Sequence, residues 1–378
     1  MLKKAVIFAC AALTMLFPWS VSVRAAPSVS AKSAVLVCAD NGRVLYEKNS
    51  HEKLPIASTT KIMTALLTLE AAAHSDDVVK ITPEMVQVEG SSMGLKAGDQ
   101  LTLSALAQGM LTVSGNDAAN SAAIAIGGSI PKFAELMNQK AAQLGLSETH
   151  YVTPSGLDQE EHYSTASDLA KLTAAALKNS AFASIVSQKK IQVRFCNPNQ
   201  TVTYTNHNKL LSMYEGCIGV KTGYTQKAGR CLVSAAERGG VRLIAVTLSD
   251  PDDWNDHEQL LDYGFSRVIQ YQPDDSELEL NLPVVGGTER TVLVLGTDGD
   301  AVVLPSDEVQ NLRRSVELPQ FLYAPVKKGQ VLGCVRYSND SGTVASTKLI
   351  AGTDVPREII EKNIFEKIWT WIRKLISV

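Results

Sequence analysis

The sequence lacks a charge excess of either sign. Its 378 residues carry a formal net charge of −3. A nearly neutral chain has no electrostatic footprint for nucleic acid, so the sequence gives no reason to expect that partner. Apolar residues at 45% and charged residues at 20% are instead typical of a globular protein. The length favours two folded domains with appended segments.

The cysteines and histidines lack the spacings of a disulfide framework or a metal site. The cysteines beyond the first thirty residues contain no C-x-x-C pair. They are Cys38, Cys196, Cys217, Cys231 and Cys334. Because this set is odd and unclustered, we expect mostly buried, apolar thiols. The six histidines are scattered without an H-E-x-x-H spacing, so no zinc site is expected.

The N-terminal segment has the pattern of a secretory signal peptide. Residues 1–26 contain two lysines, an apolar run to about Trp19, and small residues at Ala25 and Ala26. A short membrane anchor or a buried helix is the alternative. Pro18 and the short apolar run favour the signal peptide. The mature protein is therefore expected to work outside the cytoplasmic membrane.

The C-terminal segment, residues 357–378, is strongly amphipathic. On a helical wheel its apolar side chains, with Trp369 and Trp371, occupy one half and most charged side chains the other. Charges interrupt the run too often for it to span a bilayer. A helix with Trp on one face and Lys and Arg on the other predicts an interfacial membrane anchor. Docking on the protein's own β domain, or in a dimer, is the alternative.

Between these ends, the pattern of helices and strands predicts two units. A hairpin with its turn at Asn41-Gly42 opens the first, a mostly helical block follows over 101–180, and strands with a last helix close it. This order predicts a sheet domain with a helical insertion over residues 32–270. Short strands separated by Gly, Pro and Asp-Gly turns predict a small all-β domain over residues 275–353.

The stretch PIASTTKIMTALLTLE, residues 55–70, places Ser58 and Lys61 in the first turn of an apolar helix. A serine there is a favourable N-cap, which is the simplest interpretation. Positions i and i+3 also share a helix face, so Lys61 can reach Ser58. Burial would lower the pKa of the lysine and make it a base for the serine hydroxyl. The helix N-terminus would add a backbone N–H for a developing oxyanion.

Two more segments carry groups that the same chemistry would use. The SGN segment at 114–116 lies between helical runs, where a loop cap is the simplest explanation. The KTG segment at 221–223 is expected to begin a strand. There a lysine and a threonine hydroxyl can hold a carboxylate, and a glycine lets a peptide backbone come close. Alone, the SGN segment favours a loop cap, and the KTG segment is equally compatible with a turn at the end of a strand.

Together, S-x-x-K, S-x-N and K-T-G in this order are the signature of penicillin-binding proteins and class A β-lactamases. The chain resembles a low-molecular-mass penicillin-binding protein, a serine-type D-alanyl-D-alanine carboxypeptidase. SSMGLKAGD, TPSGLDQEEHYSTASDLAKL, TNHNKLL and KTGYTQKAG carry the same resemblance. It implies an α+β fold of the β-lactamase and penicillin-binding type, an antiparallel sheet with a helical subdomain. A small all-β domain and the C-terminal amphipathic helix follow.

The resemblance also implies how the reaction begins. Ser58 attacks the carbonyl of the penultimate D-Ala in a peptidoglycan stem peptide, and Lys61 takes the proton of the serine. Ser114 helps to pass that proton to the departing D-Ala, and Asn116 orients the peptide amide. Water then hydrolyses the acyl-enzyme, with no metal or cofactor required.

The KTG strand is expected to bind the substrate. By resemblance, Lys221 and Thr222 hold the terminal carboxylate and Gly223 admits the peptide backbone. The backbone N–H groups of Ser58 and Tyr224 form the oxyanion hole. The expected partners are peptidoglycan ending in D-Ala-D-Ala, β-lactam inhibitors that acylate the same serine, and the outer face of the cytoplasmic membrane, which the C-terminal helix contacts peripherally.

The sequence departs from the family pattern in two places. Thr153 and Ser155 stand where relatives often have Asn first and His or Asn in the middle, in a segment expected to be structural. Some relatives also use an arginine beyond KTG for the carboxylate, and the acidic stretch SDPDDWNDHEQLL offers none. Arg230 is nearer in sequence, but its direction is open.

Three alternatives stay open at this point. A β-lactamase would need a carboxylate that activates the deacylating water, and only Glu160 and Glu161 stand in a suggestive place, where a solvated loop is the simpler interpretation. A D,D-endopeptidase is disfavoured by the absence of a large insertion within 61–114. A wall-binding protein with a dead site is disfavoured by the intact motifs.

Overall fold

The computed structural model describes residues 25–359, 368, 369 and 371–373. Most of the predicted signal peptide and most of the predicted amphipathic helix therefore lie outside the described residues. Within the described part of the chain, no helix is both long enough and apolar enough to cross a bilayer.

The described residues form seventeen strands and eight α-helices. The strands are β1 (Ser33–Cys38), β2 (Val44–Lys48), β3 (Val78–Lys80), β4 (Gln100–Thr102), β5 (Lys190–Phe195), β6 (Gln200–Thr205), β7 (Cys217–Thr225), β8 (Gly229–Arg238), β9 (Val241–Leu248), β10 (Val268–Tyr271), β11 (Glu279–Val285), β12 (Thr291–Gly296), β13 (Val302–Pro305), β14 (Arg313–Glu317), β15 (Leu322–Tyr323), β16 (Val331–Asn339) and β17 (Gly342–Ala351). The helices are α1 (Lys61–His74), α2 (Leu103–Thr112), α3 (Asn116–Gly127), α4 (Ile130–Gln143), α5 (Ala166–Ala176), α6 (Ser180–Val186), α7 (Leu210–Met213) and α8 (Asp253–Arg267).

A five-stranded antiparallel sheet, in the order β2-β1-β9-β8-β7, is the centre of the first unit. All six residues of β1 are buried, which requires cover on both faces of the sheet. Side chains alternate between the faces. Val35 joins the core shared with the helical block, whereas Leu36 joins the core shared with α8. The expected antiparallel sheet with a helical subdomain is confirmed.

Two hairpins of this sheet differ at their turns. Gly239 and Gly240 alone join β8 to β9, with φ of +53° and +76°, as a two-residue type I′ turn requires. Asn41, by contrast, lies in a longer loop between β1 and β2, so the two-residue turn predicted there is wrong. Its side chain accepts a hydrogen bond from Arg43 N (3.0 Å) and donates one to Val303 O (3.1 Å). These bonds favour the longer loop.

The second unit is a six-stranded sheet in the order β14-β16-β17-β12-β11-β15. Its pairs are antiparallel except β11 with β15. Val292, Val294 and Leu349 lie in its own apolar core. One strand of residues 275–353, β13, pairs instead with β10, directly after α8. An all-β domain following the α+β unit is confirmed.

The five cysteines of the described residues are free thiols. Cys38 and Cys231 are buried, Cys217 and Cys334 are half-buried, and Cys196 is exposed. The expectation of mostly buried thiols is therefore wrong for three of the five, because their strands and loops have one open side.

Candidate active site

Ser58 lies in a 3₁₀ turn, Ala57–Thr60, and the α-helix α1 begins only at Lys61. The turn starts abruptly, with Ala57 at φ +46°, in the left-handed region. No side chain caps this turn or α1. The interpretation of Ser58 as an N-cap is thus wrong. Its hydroxyl oxygen lies 2.8 Å from Lys61 Nζ instead.

Lys61 is completely buried and donates to two further oxygens. Its Nζ lies 2.6 Å from Asn116 Oδ1 and 2.7 Å from the carbonyl oxygen of Ser155. Burial lowers the pKa of Lys61 well below its ordinary value, and the nearby Lys221 cation lowers it further, against an opposing effect of Asp117. The neutral form of the amine is therefore favoured relative to that of an exposed lysine.

A neutral amine has two N–H groups and one lone pair. Asn116 Oδ1 and the Ser155 carbonyl can only accept, so each takes one N–H of Lys61. The lone pair is then left for the hydroxyl proton of Ser58, 2.8 Å away. This is the arrangement of a base that can remove the proton of a serine nucleophile.

The SGN segment joins α2 to α3 and faces the same place. Ser114 adopts φ +62°, is buried, and its hydroxyl has no hydrogen-bond partner among the described residues. Asn116 is the first residue of α3, and its Nδ2 donates to Glu89 O at 2.7 Å while Oδ1 accepts from Lys61. The Asn116 amide thus connects Lys61 to the loop before Ser91, and it retains one free N–H.

The KTG segment lies in the middle of β7, so the prediction that it begins a strand is wrong. Lys221 is buried, and its Nζ donates to Thr222 O at 2.8 Å. Burial lowers the pKa of Lys221 to about 7. Because β7 is an edge of the sheet, part of its backbone is not paired with another strand.

Gly223 is the point where β7 meets the 3₁₀ turn. A Cβ at Gly223 would lie 3.0 Å from Ser58 N and 3.2 Å from both Ala57 Cβ and Ile56 O. Only a glycine gives this separation without displacing the turn. Tyr224, the next residue, is 67% exposed. The glycine expected to admit a substrate backbone therefore also lets Ser58 approach the strand.

A cleft of about 490 Å³ opens over Ser58. Its lining residues come from the 3₁₀ turn, the loop before β4, the loops before α3 and α7, the β7–β8 hairpin and the start of α8. They are Ser58, Ser91, Ser114, His207, Lys209, Thr222, Gly223, Tyr224, Arg230, Asp253 and Trp254. Lys61, Asn116 and Lys221 are buried behind this lining.

The direction of Arg230, left open by the sequence, is into this cleft. Its Nη2 donates to Asp253 Oδ1 at 2.6 Å, and its guanidinium carbon lies 5.7 Å from the ring centre of Trp254. The first turn of α8, part of the acidic stretch, therefore fixes an arginine rather than supplying one. The guanidinium keeps donors to spare after this contact.

Sequence reasoning missed two contributors to the site. The Ser155 carbonyl touches Lys61, so the 153–157 segment does more than the structural task expected of it. Asp117 is buried, and its carboxylate accepts from the N–H groups of Met93, Gly94 and Leu95, each at 3.0 Å. Asp117 thereby holds the SSMGL loop at the rim. An acid directly after S-x-N was the available signal.

The two glutamates considered for a β-lactamase, Glu160 and Glu161, are exposed and do not line the cleft. In the described part of the chain, no group of three or more His, Cys, Asp or Glu side chains has the geometry to hold a metal ion.

The chain is similar to proteins of known family in both units. Residues 20–252 match the D-alanyl-D-alanine carboxypeptidases of peptidase family S11, and residues 270–357 match the C-terminal domain of penicillin-binding protein 5. The D-alanyl-D-alanine carboxypeptidase DacF of Bacillus subtilis is 33% identical over 339 residues, 86% of each chain. DacC of Escherichia coli is 34% identical over 367 residues, 92% of this chain and 88% of the relative.

A solved structure shows the same similarity. Penicillin-binding protein 5 from Haemophilus influenzae superposes with a TM-score of 0.65 at 30% identity, covering 88% of this chain and 100% of that one.

Proposed function

Because this chain belongs to the D-alanyl-D-alanine carboxypeptidase family of serine hydrolases, we propose that the substrate acylates Ser58. One observation carries the assignment. Lys61 is completely buried and its pKa is lowered, and its amine lies 2.8 Å from Ser58 Oγ. A serine hydroxyl becomes a useful nucleophile when a neutral base lies within hydrogen-bond reach.

In the acylation step, Ser58 Oγ attacks the carbonyl carbon of the penultimate D-Ala, and Lys61 Nζ takes the proton of the Ser58 hydroxyl. The C–N bond to the terminal D-Ala then breaks. The departing nitrogen needs a proton, and Ser114 Oγ, at the cleft with no partner among the described residues, is suited to pass it from Lys61. Asn116 keeps one amide N–H for the peptide. Water attacks the resulting ester and regenerates Ser58.

The oxyanion of each tetrahedral intermediate would be bound by the backbone N–H groups of Ser58 and Tyr224. The close approach at Gly223 brings the two chain segments together, which supports this assignment. Preorganised N–H donors in such a site are worth about 3–4 kcal/mol each in the transition state.

The terminal carboxylate would lie at the Lys221 and Thr222 end of the cleft. Thr222 lines the cleft and Lys221 is buried behind it. Arg230 reaches the same cleft from β8 and is the further cation we propose for this carboxylate. Asp253 offsets part of its charge, but it fixes the orientation of the guanidinium plane.

The cellular setting follows from the ends of the chain. We propose that residues 1–26 direct export, that residues 32–270 act as the catalytic unit, and that residues 275–353 act as a spacer. Residues 357–378 would attach the protein peripherally to the outer face of the cytoplasmic membrane. The exposed side chains of Trp369 and Trp371 support that attachment. The substrate there is peptidoglycan ending in D-Ala-D-Ala.

The decisive experiment measures D-Ala release from a diacyl-Lys-D-Ala-D-Ala peptide by the wild type and Ser58→Ala. We expect the variant to lose both D-Ala release and covalent labelling by a fluorescent penicillin, with an unchanged melting temperature. Labelling retained in Ser58→Ala would mean that the nucleophile is another residue. Fast hydrolysis of nitrocefin by the wild type would instead favour a β-lactamase.

A further inference from the structure

His162 is a buried histidine whose two ring nitrogens are both occupied next to the S-x-x-K turn. It is 4% exposed. Its Nδ1 accepts from the backbone N–H of Val152 at 3.0 Å and lies 3.3 Å from Thr153 N. An accepting Nδ1 fixes the proton of the neutral ring on Nε2. Nε2–H then donates to Thr60 Oγ1 at 2.8 Å.

This ring joins two segments that meet at Lys61. Thr60 is the residue directly before Lys61 in the 3₁₀ turn. Val152 begins the segment 152–156, which supplies the Ser155 carbonyl, an acceptor of Lys61 at 2.7 Å. His162 therefore bridges the chain on one side of the base to the loop on its other side.

Two other contacts hold segment 152–156, one with α1 and one with the 3₁₀ turn. Thr64 Oγ1 donates to Pro154 O at 2.7 Å. Gly156 has φ +83°, and a Cβ there would lie 1.9 Å from Ala57 O. The loop is thus held at its middle and its end by contacts with the turn and α1. His162 holds its beginning.

We propose that His162 is a positioning residue for Lys61, a role that rests on the proposed function. By holding segment 152–156 against Thr60, it keeps the Ser155 carbonyl where it takes one N–H of the neutral amine. The lone pair of Lys61 is then directed at Ser58. His162 touches neither the substrate nor the reacting atoms, so it acts only through these two segments.

The surroundings of the ring agree with a neutral donor and acceptor. Burial, together with the charges of His150 and Lys61, lowers the pKa of His162 to about 4. The ring of Tyr151 packs edge-on, with centroids 5.7 Å apart. A charged imidazolium would lose the acceptor for Val152 N. It would also add a cation beside the base.

The test compares acylation by a fluorescent penicillin in the wild type, His162→Ala, His162→Asn and His162→Gln. Asn mimics the Nδ1 acceptor and Gln mimics the Nε2 donor, so each keeps one of the two bonds. Labelling carried to its end point counts the competent sites, and the time course gives the acylation rate constant per site. The matched control is His74→Asn, whose exposed ring contacts the carbonyl of Glu70 at the far end of α1, outside this network.

We expect His162→Ala to lower the rate constant per labelled site by about 100-fold, the usual effect of moving a catalytic group by about 1 Å. Asn and Gln should each recover part of the rate, and the control should match the wild type. An unchanged rate constant per site, with only fewer labelled sites, would reduce His162 to a packing residue and overturn the proposal.

If His162→Ala does not fold, His162→Gln gives the same comparison. Failure of the proposed function looks different, because Ser58→Ala would then still be labelled.

Discussion

Two buried lysines, Lys61 and Lys221, lie close enough for the charge of one to lower the pKa of the other. Their surroundings separate their tasks. Lys61 has three oxygen partners, including the hydroxyl of Ser58, whereas the only described partner of Lys221 is the Thr222 carbonyl. In the proposed mechanism, Lys61 works as the neutral amine and Lys221 as the cation. The cation favours the neutral form of the base.

This division predicts a pH profile. The pKa of Lys221 is lowered to about 7, so its charge is present below that pH and is lost as the pH rises. Loss of the cation weakens binding of the substrate carboxylate, and kcat/KM for the peptide should fall above pH ~7. A bound carboxylate stabilises the Lys221 cation. The fall of kcat should therefore lie at a higher pH than the fall of kcat/KM.

Lys221→Arg tests this assignment, because a guanidinium stays charged across the accessible range. We expect a lower kcat/KM overall, since the buried site is shaped for an ammonium group, but no alkaline limb near pH 7. An unchanged limb in Lys221→Arg would assign that titration to another group.

Arg230 gives a second prediction for the carboxylate. Arg230→Ala should raise KM for the D-Ala-D-Ala peptide by about 10-fold with a smaller change in kcat, the pattern of lost ground-state binding. The matched control is Lys227→Ala, an exposed cation in the same β7–β8 hairpin that does not line the cleft. Equal effects of the two variants would show that only the net charge of this region matters.

The sequence predicted the three motifs of the site better than the groups that hold them in place. The S-x-x-K, S-x-N and K-T-G residues do lie around one cleft or directly behind it. The Ser155 carbonyl could not be foreseen, because a backbone oxygen has no residue signature. The contacts of Asp117 and His162 could not be foreseen either, because Asp117 binds backbone N–H groups and His162 joins backbone N–H groups to the hydroxyl of Thr60, which is distant in sequence.

At the scale of elements, the site depends on how closely β7 approaches the 3₁₀ turn. Gly223→Ala would place a methyl group 3.0 Å from Ser58 N, a separation that forces the turn or the strand to move. We expect acylation to slow by at least ~10-fold, since Ser58 moves relative to both Lys61 and the oxyanion donors. The melting temperature should change by only a few degrees.

Rates of penicillin acylation, with circular dichroism melts of the same samples, would measure both effects. A full acylation rate in Gly223→Ala would mean that β7 can withdraw without moving the nucleophile. Gly264→Ala in α8 is a useful control for crowding alone, because a Cβ there would lie 2.6 Å from Leu243 Cδ1 and Gly264 does not line the cleft.

Elements with a strong local pattern were predicted well, and irregular ones were not. The β8–β9 hairpin follows from its Gly-Gly turn, and α5 begins at a threonine cap, Thr165, which accepts from Asp168 N at 3.1 Å. From the sequence pattern alone, the 3₁₀ turn at Ser58 is predicted as the first turn of an α-helix. Its geometry is set by contacts with β7 and with Gly156, which local propensity does not contain.

At the scale of the molecule, the two units meet where β10 pairs with β13 over four residues. Their cores are otherwise separate clusters. Activity on a small peptide should therefore depend on the first unit, and membrane attachment on residues 357–378. The division of labour between units stays a prediction.

A chain ending after residue 356 tests that division. We expect it to keep the wild-type kcat/KM on a diacyl-Lys-D-Ala-D-Ala peptide and to lose sedimentation with anionic lipid vesicles. The matched control is Ile368→Ser with Trp371→Ser in the full chain, which removes apolar side chains but no length. A truncated chain that still sediments would place the membrane contact elsewhere.

The groups around Lys61 come from four distant parts of the chain, at residues 58, 116, 155 and 221. In an extended chain the same lysine is fully hydrated and protonated at neutral pH, and the serine beside it is as inert as any other alcohol. In the proposed mechanism, the reactivity of Ser58 is thus acquired only when the chain has folded. A fluorescent penicillin should therefore count correctly folded molecules, and could time the folding of this protein, without a native substrate.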